Sequence, residues 1–265
     1  MDLHRTGLYV PGDRPDRFAS AEASGADLVV FDLEDAVAAE RKGRARDDVI
    51  RWLEARSSEV AVQVRVNAGD DEDLRAVSTL PLDVGIRLPK VEDRMQLDRV
   101  AELAPGHPVT ALLESARGVL NARATAEHPA VVAIGLGESD LRSDLGGGEP
   151  VLDHARLTAL YSARAAGLPA PMASVYPAIR DLDGLAEDTR RAAQLGMFGR
   201  MAVHPIQLPV IAAEFAPTAA QIAWAQEVLR LLAAGGVATL ASGEMVDPAM
   251  RGRAERILRE YVAGS

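Results

Sequence analysis

The sequence predicts a (β/α)₈ barrel with a C-terminal helical extension, and three observations carry that prediction. Short apolar or β-branched runs alternate with Ala-rich amphipathic stretches eight times. Eight such units in roughly 215 residues match the size and rhythm of a (β/α)₈ barrel. Several of the runs are almost continuously apolar, as strands buried on both faces of a parallel sheet must be. No G-x-G-x-x-G follows the first run, which argues against the main rival, a doubly wound open sheet.

The first strand is TGLYVPG (6–12). PDRFASAEAS (15–24) follows as a helix, with Asp13 or Arg14 near its cap and Pro15 in its first turn. LVVFDLED (28–35) is the second strand, and RKGRARDDVIRWLEAR (41–56) the next long helix. VAVQVRVNA (60–68), VGIRLPK (84–90), VTALLES (109–115) and VVAIGLG (131–137) continue the series. LTALYSARAAG (157–167) is helical, and PMASVY (171–176) and RMAVHP (200–205) complete the eight strands. The barrel domain is therefore placed at 1–216. Beyond it, PTAAQIAWAQEVLRLLAAGG (217–236) is a helix closed by two glycines. VATLASGEMVD (237–247) is a loop or short extended piece, and PAMRGRAERILREYVAG (248–264) a final helix opened by proline. This arm, 217–265, is long enough to cap the barrel or to reach a neighbouring subunit.

Composition narrows the function. The 265 residues carry 29 basic and 39 acidic side chains, a net charge of −10. That balance opposes DNA, RNA or an anionic membrane as the main partner, but not a small anion in a local basic pocket. With no cysteine, thiolate catalysis and Cys-ligated metal sites are impossible. The N-terminus has no signal-peptide core and no run approaches a membrane span, so the expected location is the cytoplasm.

In barrels of this kind the active site lies at the C-terminal ends of the strands. Here those ends carry Asp13 and Arg14, then Asp32, Glu34 and Asp35, then Arg65 and Asn67, Lys90, Glu114, Glu138 with Asp140, and His204. The acids would repel one another unless a cation sat among them. Oxygen ligands without thiols and with few imidazoles favour Mg²⁺, which takes one or two carboxylates and leaves its other positions to water and substrate. Glu114 and Asp140, from neighbouring strand ends, are the natural pair. The bland alternative is that each acid caps the next helix or pairs with an arginine. Asp32, Glu34 and Asp35 read as supporting groups that hold an arginine or water near the metal, with Lys90 and Arg14 as further partners. An inward Arg65 on an apolar strand needs an anion. It is either a buried ion pair with the acidic cluster or a clamp for a substrate carboxylate or enolate. His204 reads as a hydrogen-bonding residue rather than a base. Arg14, Arg17, Arg41, Lys42 and Arg44 are a candidate basic patch for a polyphosphate ligand, or only a solvated helix face.

VPGDRPDRF (10–18), VVFDLEDAV (29–37), VRVNA (64–68), RLPKVE (87–92), ALLESARGV (111–119), GESDL (137–141), VHPIQ (203–207) and GEMVDPAM (243–250) occur in one order along nearly the whole chain. Together they resemble the citrate lyase β subunit and its malyl-CoA lyase relatives. The resemblance implies a (β/α)₈ barrel assembled as a trimer or hexamer. It implies a Mg²⁺ enzyme that cleaves or forms C–C bonds in 3-hydroxyacyl thioesters of the citryl-, malyl- or 3-hydroxy-3-methylglutaryl-CoA type. The partners would be an acyl-CoA and an oxo-acid such as oxaloacetate, pyruvate or glyoxylate. By resemblance, Glu114 and Asp140 are metal ligands, and Gly137 and Glu138 lie with Glu114 against the substrate. Arg65 polarises the thioester carbonyl, and Asp247 is an acid/base supplied by the arm of an adjacent subunit. Two departures are Ser139, where relatives carry an acid before the metal Asp, and Ala173, where they often carry Asp. A CoA-independent 2-oxo acid aldolase and a non-catalytic barrel are the competing readings.

Overall fold

The structure, a computed structural model, describes residues 4–235 and 238–262. Two compact units divide the chain, one spanning 4–214 and the other built mainly from 215 onward. No helix among the described residues is long and apolar enough to cross a membrane.

The larger unit is an α/β fold around one parallel sheet. Its strands are β1 (Thr6–Pro11), β2 (Leu28–Asp32), β3 (Ala61–Arg65), β4 (Gly85–Leu88), β5 (Val109–Leu113), β6 (Val131–Leu136) and β7 (Arg200–Ala202). The order is β6-β5-β4-β3-β2-β1-β7, so each strand lies beside its sequence neighbour and β7 returns to β1. β2 and β5 are buried along their whole length, which explains their unbroken apolar sequences. β3 alternates, with Val62 and Val64 buried and Gln63 and Arg65 partly exposed on the other face.

The expected seventh strand, PMASVY, does not form one. Pro169, Pro171 and Pro177 deprive this stretch of ladder donors. Ala173 makes a single parallel bridge to Arg200 of β7. On the other side, Ser174 Oγ donates to the Leu136 carbonyl of β6 at 2.7 Å. The segment thus touches both edge strands of the curled sheet. Inside the curl, Leu28, Val30 and Met201 pack with Tyr9, Ala61, Met172 and Val175. Gly7 admits this packing, since a Cβ there would stand 2.4 Å from Met201 Sδ.

Helices cover the outside with one apolar stripe each. Lys42–Ala55 buries Ala45, Val49 and Leu53, one residue per turn. Arg94–Leu103 opens with a capping box between Asp93 and Gln96. Three helices are joined through charge. Arg156 on helix Glu149–Ala165 grips Glu138 with two bonds of 2.8 and 2.5 Å and reaches Asp153 at 2.8 Å and Glu149 at 3.0 Å. Arg191, on helix Leu182–Gln194, pairs with the same Glu149 and Asp153. Burial pushes the Glu149 carboxyl up, but Arg142 and Arg156 outweigh it and hold it down to about 2. Arg156 is buried, so Arg156→Met strands the Glu138 carboxylate, whose one ion pair among the described residues is with Arg156, while Glu149 and Asp153 keep Arg191. We expect a loss of about 3–5 kcal/mol, read as a melting temperature lower by about 10 °C. An unchanged melting curve would show that the network contributes nothing to stability.

In the smaller unit, Thr218 and Gln221 form a capping box for helix Ala219–Ala234, which ends at Gly235 with φ 74°. Gly236, expected as part of that stop, lies outside the described residues, as do 263–264 of the final helix. The expected loop contains a small antiparallel hairpin, β8 (Ala238–Thr239) with β9 (Met245–Val246). Helix Arg251–Val262 follows, and Ala225, Val228, Leu240, Val246, Ala254 and Ile257 form this unit's own core.

Candidate active site

Asp32 closes β2 and stands directly opposite Arg65, the last residue of β3. Register therefore places an acid beside a base at one end of the sheet. Arg65 Nε and Nη2 donate to the two Asp32 oxygens at 2.7 and 2.6 Å. Asp32 is itself fixed by accepting from the Glu34 N–H at 2.9 Å and the Ala36 N–H at 3.3 Å. The third guanidinium nitrogen, Nη1, lies 3.1 Å from Glu34 and 3.4 Å from Asp35. Burial works against the Arg65 charge, but Asp32 more than offsets it and the net shift is upward. The ion-pair reading of Arg65 is what the structure contains, and the arginine remains charged for any second task.

Lys90 sits in the turn after β4 with φ 53°, a left-handed conformation that costs a side-chain-bearing residue roughly 1–2 kcal/mol. The turn performs two tasks. The Lys90 N–H donates to Glu114 Oε2 at 2.9 Å, and Nζ donates to Glu34 Oε1 at 2.5 Å. Gln96 Nε2 holds the turn from outside by donating to the Lys90 carbonyl at 2.9 Å.

Glu114 follows β5 and is 5 % exposed. Burial, then Glu34, push its carboxyl up; the Lys90 N–H opposes them, Asp140 adds to the rise, and the result is about 7. Glu34 is likewise raised, by burial first, against the pull of Lys90 and Arg65. Gly137, between β6 and helix Glu138–Leu145, forms the wall against Glu114, because a Cβ there would lie 2.2 Å from Oε1. Asp140 lies in the first turn of that helix. Asp32, Glu34, Asp35, Glu114 and Asp140 thus share one region, and among the described residues Arg65 and Lys90 are the cations paired with them. Among the described residues no group of three or more His, Asp or Glu side chains is arranged to hold a metal. A two-carboxylate oxygen site with excess negative charge fits Mg²⁺, which leaves its remaining positions to water and substrate.

Other expected residues lie elsewhere. Arg14 does not join the ring; it pairs with Asp16 at 2.9 and 2.8 Å on the surface. The Glu138 carboxylate is held by Arg156. In the basic patch Arg41 meets Asp13 at 2.6 Å and Arg44 lies near Asp48 at 3.6 Å, while Lys42 donates to the uncharged Asn67 amide oxygen. His204 accepts from the Ile206 N–H at 3.1 Å, as a hydrogen-bonding residue should. Ala173 is the bridge residue at the sheet seam. Asp247, in the smaller unit, accepts from the Ala249 N–H at 2.7 Å and caps the turn that starts the final helix. The sequence reading missed Tyr9 and Arg87, which lie under the ring. The Arg65 guanidinium is 5.0 Å and the Arg87 guanidinium 5.6 Å from the Tyr9 ring centre. The signal that singled out Arg65, an arginine on an apolar strand, applied equally to Arg87.

Residues 5–205 match the family described as HpcH/HpaI aldolase/citrate lyase. The chain belongs to this family. A citrate lyase subunit beta-like protein of Mycobacterium tuberculosis (strain H37Rv) is 36% identical, covering 98% of this chain and 97% of that one. A (3S)-malyl-CoA thioesterase of Cereibacter sphaeroides (strain ATCC 17025) is 35% identical over 82% of this chain and 79% of its own. The crystal structure of CitE from M. tuberculosis, with magnesium, acetoacetate and coenzyme A, superposes with a TM-score of 0.83 at 34% identity, covering 98% of both chains. The citrate lyase beta subunit from the same organism, with oxaloacetate and magnesium, gives 0.71 at 34% identity over 81% of this chain and 98% of that one. As a member of the aldolase/citrate lyase family, this protein is a carbon–carbon lyase by descent.

Proposed function

We propose that this HpcH/HpaI family member is a Mg²⁺-dependent acyl-CoA lyase. It would split a short 3-hydroxyacyl-CoA of the malyl, citryl or 3-hydroxy-3-methylglutaryl type into an acyl-CoA and an oxo-acid, or run the reverse condensation. The observation that carries this reading is the buried Glu114, raised to about 7 by burial and neighbouring carboxylates, beside Asp140 and the charged Arg65. The magnesium-bound relatives support it. Mg²⁺ held by Glu114 and Asp140 would supply Lewis-acid stabilisation of substrate oxygens. In cleavage a base takes the substrate hydroxyl proton, the O–H electrons form the ketone or aldehyde C=O, and the electrons of the breaking C–C bond pass to the thioester as its enolate. Arg65 donates to the developing enolate oxygen, and one such donor is worth about 3 kcal/mol of barrier. Asp247, from the arm of an adjacent subunit, protonates the enolate carbon; in condensation it removes that proton. This reading takes the protein as a cytoplasmic homotrimer or hexamer. It takes 171–176 as the seventh of eight positions in a closed barrel.

Thioester hydrolysis is the second reading, favoured by the malyl-CoA thioesterase relatives. One assay separates the two. With (3S)-malyl-CoA and Mg²⁺, a lyase releases acetyl-CoA and glyoxylate with no free thiol, whereas a thioesterase releases malate and free CoA thiol. Citryl- and 3-hydroxy-3-methylglutaryl-CoA complete the panel. Turnover of a CoA-free 4-hydroxy-2-oxo acid, with none of the thioesters, would overturn the proposal in favour of the aldolase.

Gly137→Ala supplies a cheaper check on the metal pair. The new methyl must displace the Glu114 carboxylate it meets at 2.2 Å. Mg²⁺ affinity measured by calorimetry should fall about 10–100-fold. Unchanged affinity would remove Glu114 from the coordination sphere.

A further inference from the structure

Arg87 is a buried cation held by uncharged partners. It is 4 % exposed. Its Nε donates to Gln63 Oε1 at 2.9 Å and its Nη1 to the Tyr9 hydroxyl at 3.3 Å, both uncharged acceptors. Among the described residues no carboxylate lies within ion-pair distance of it. Burying an unpaired guanidinium is expensive. The cost is higher here because Arg87 stands directly opposite Arg65 in the β3–β4 register, and like charges in opposed positions destabilise a sheet.

What links the two arginines is Tyr9. Its ring lies within cation–π reach of both. Its hydroxyl is held by Arg87, Arg87 by Gln63, and Gln63 by a further bond from Nε2 to Thr110 Oγ1 at 3.0 Å. Side chains from β5, β3 and β4 therefore fix the position of a ring on β1. On the opposite side Arg65 is drawn toward β2 by Asp32, Glu34 and Asp35. Asp32 holds the guanidinium from that side with two bonds, and repulsion from Arg87 pushes it the same way. The Tyr9 ring, 5.0 Å from the guanidinium and fixed by Arg87, is the attraction that acts against both.

We propose that Arg87 is a positioning residue that acts through Tyr9 to hold the Arg65 guanidinium in its working place. The inference rests on the lyase reading for the task of Arg65, but the placement of Arg65 is a property of the protein alone. A guanidinium displaced by even 1 Å no longer meets an oxyanion at hydrogen-bond distance, which is why loss of a supporting contact is felt in kcat.

Two arms test it. Crystal structures of Arg87→Met and of the near-isosteric Tyr9→Phe should show Arg65 displaced or disordered, with Asp32 and Glu114 in their wild-type positions. Arg65 unmoved in both variants would overturn the proposal, whatever the enzyme does. The second arm is a double-mutant cycle on the CoA thioester that the wild-type protein turns over. Arg87→Met should lower kcat about tenfold when Arg65 is present and less than about twofold in an Arg65→Lys background. KM for the thioester and Mg²⁺ affinity should stay near wild type. Equal losses in both backgrounds would make Arg87 a structural residue and overturn its action through Arg65. A wild-type protein inactive on every thioester fails the lyase reading, and the crystallographic arm still decides this one.

Discussion

Magnesium affinity should fall about tenfold for each pH unit below 7 and level off above it, and Glu114→Gln should abolish binding at every pH. The reason is competition for one carboxylate. In the metal-free protein burial, aided by Glu34 and Asp140, raises the Glu114 carboxyl from 4.5 to about 7. Below that value a proton must leave before Mg²⁺ can bind. Calorimetry in buffers of different ionisation heat should show close to one proton released per Mg²⁺ at about pH 6 and almost none at about pH 8. Stability follows with the opposite sign. A carboxyl raised in the folded state binds more protons folded than unfolded between 4.5 and about 7. The metal-free protein therefore loses stability as pH rises through that window. Glu114→Gln should remove this slope, and Mg²⁺ should raise the melting temperature more at pH 8 than at pH 5.5. An affinity that does not change with pH would mean that the metal binds without Glu114.

Much of this site was legible because a parallel sheet sends all its strand ends to one side. Glu114, Asp140, Arg65 and the Asp32–Glu34–Asp35 run could be brought together from strand order alone. The order of the strands was legible for the same reason that β2 and β5 were, namely their burial on both faces. PMASVY misled because its apolar content resembles a strand, while Pro171 within it and Pro169 and Pro177 beside it cannot donate to a ladder. Pairing was legible for Arg65 and Lys90 with the acidic run, and not beyond them. Whether Glu138 faces a substrate or Arg156 depends on a helix eighteen residues further on, and sequence spacing does not aim side chains between helices. The pairing of the basic residues was no more legible, since each partner acid, Asp16, Asp13 and Asp48, is visible in the sequence but its direction is not. Tyr9 carried no signal of its place, and the signal at Arg87, an arginine on an apolar strand, did not give its neighbour. Only the register shows that Arg87 shares a row with Arg65 and turns into the same interior. Gly137 was named through the family resemblance, and its physical reason, room for a carboxylate, appears only in three dimensions.

Asp247→Asn should lower kcat by about 10²–10⁴-fold while leaving the fold and the metal site intact. The structure supplies the control built into this experiment. Asp247 accepts from the Ala249 N–H at 2.7 Å ahead of Pro248, so the carboxylate is already engaged as a helix cap. Asn caps about as well as Asp, whereas loss of the cap to Ala would cost about 1 kcal/mol. Asp247→Asn should therefore melt near wild type and bind Mg²⁺ normally, and Asp247→Ala should melt lower. Any activity lost in the Asn variant is then loss of an ionisable oxygen and not of the cap. The same variant should fail to exchange the acetyl-CoA methyl protons with deuterium in the presence of an unreactive oxo-acid analogue, because a carboxamide cannot take up the proton. If the carboxylate serves a neighbouring subunit, mixing Asp247→Asn with Glu114→Gln protomers restores part of the activity each lacks. In such mixtures some sites combine an intact Glu114 with a partner's intact arm. No recovery on mixing would place Asp247 at its own subunit's site. Wild-type turnover and exchange in the Asn variant would leave Asp247 as a cap alone, and a barrel that needs no carbon acid from its arm is what a CoA-independent aldolase requires.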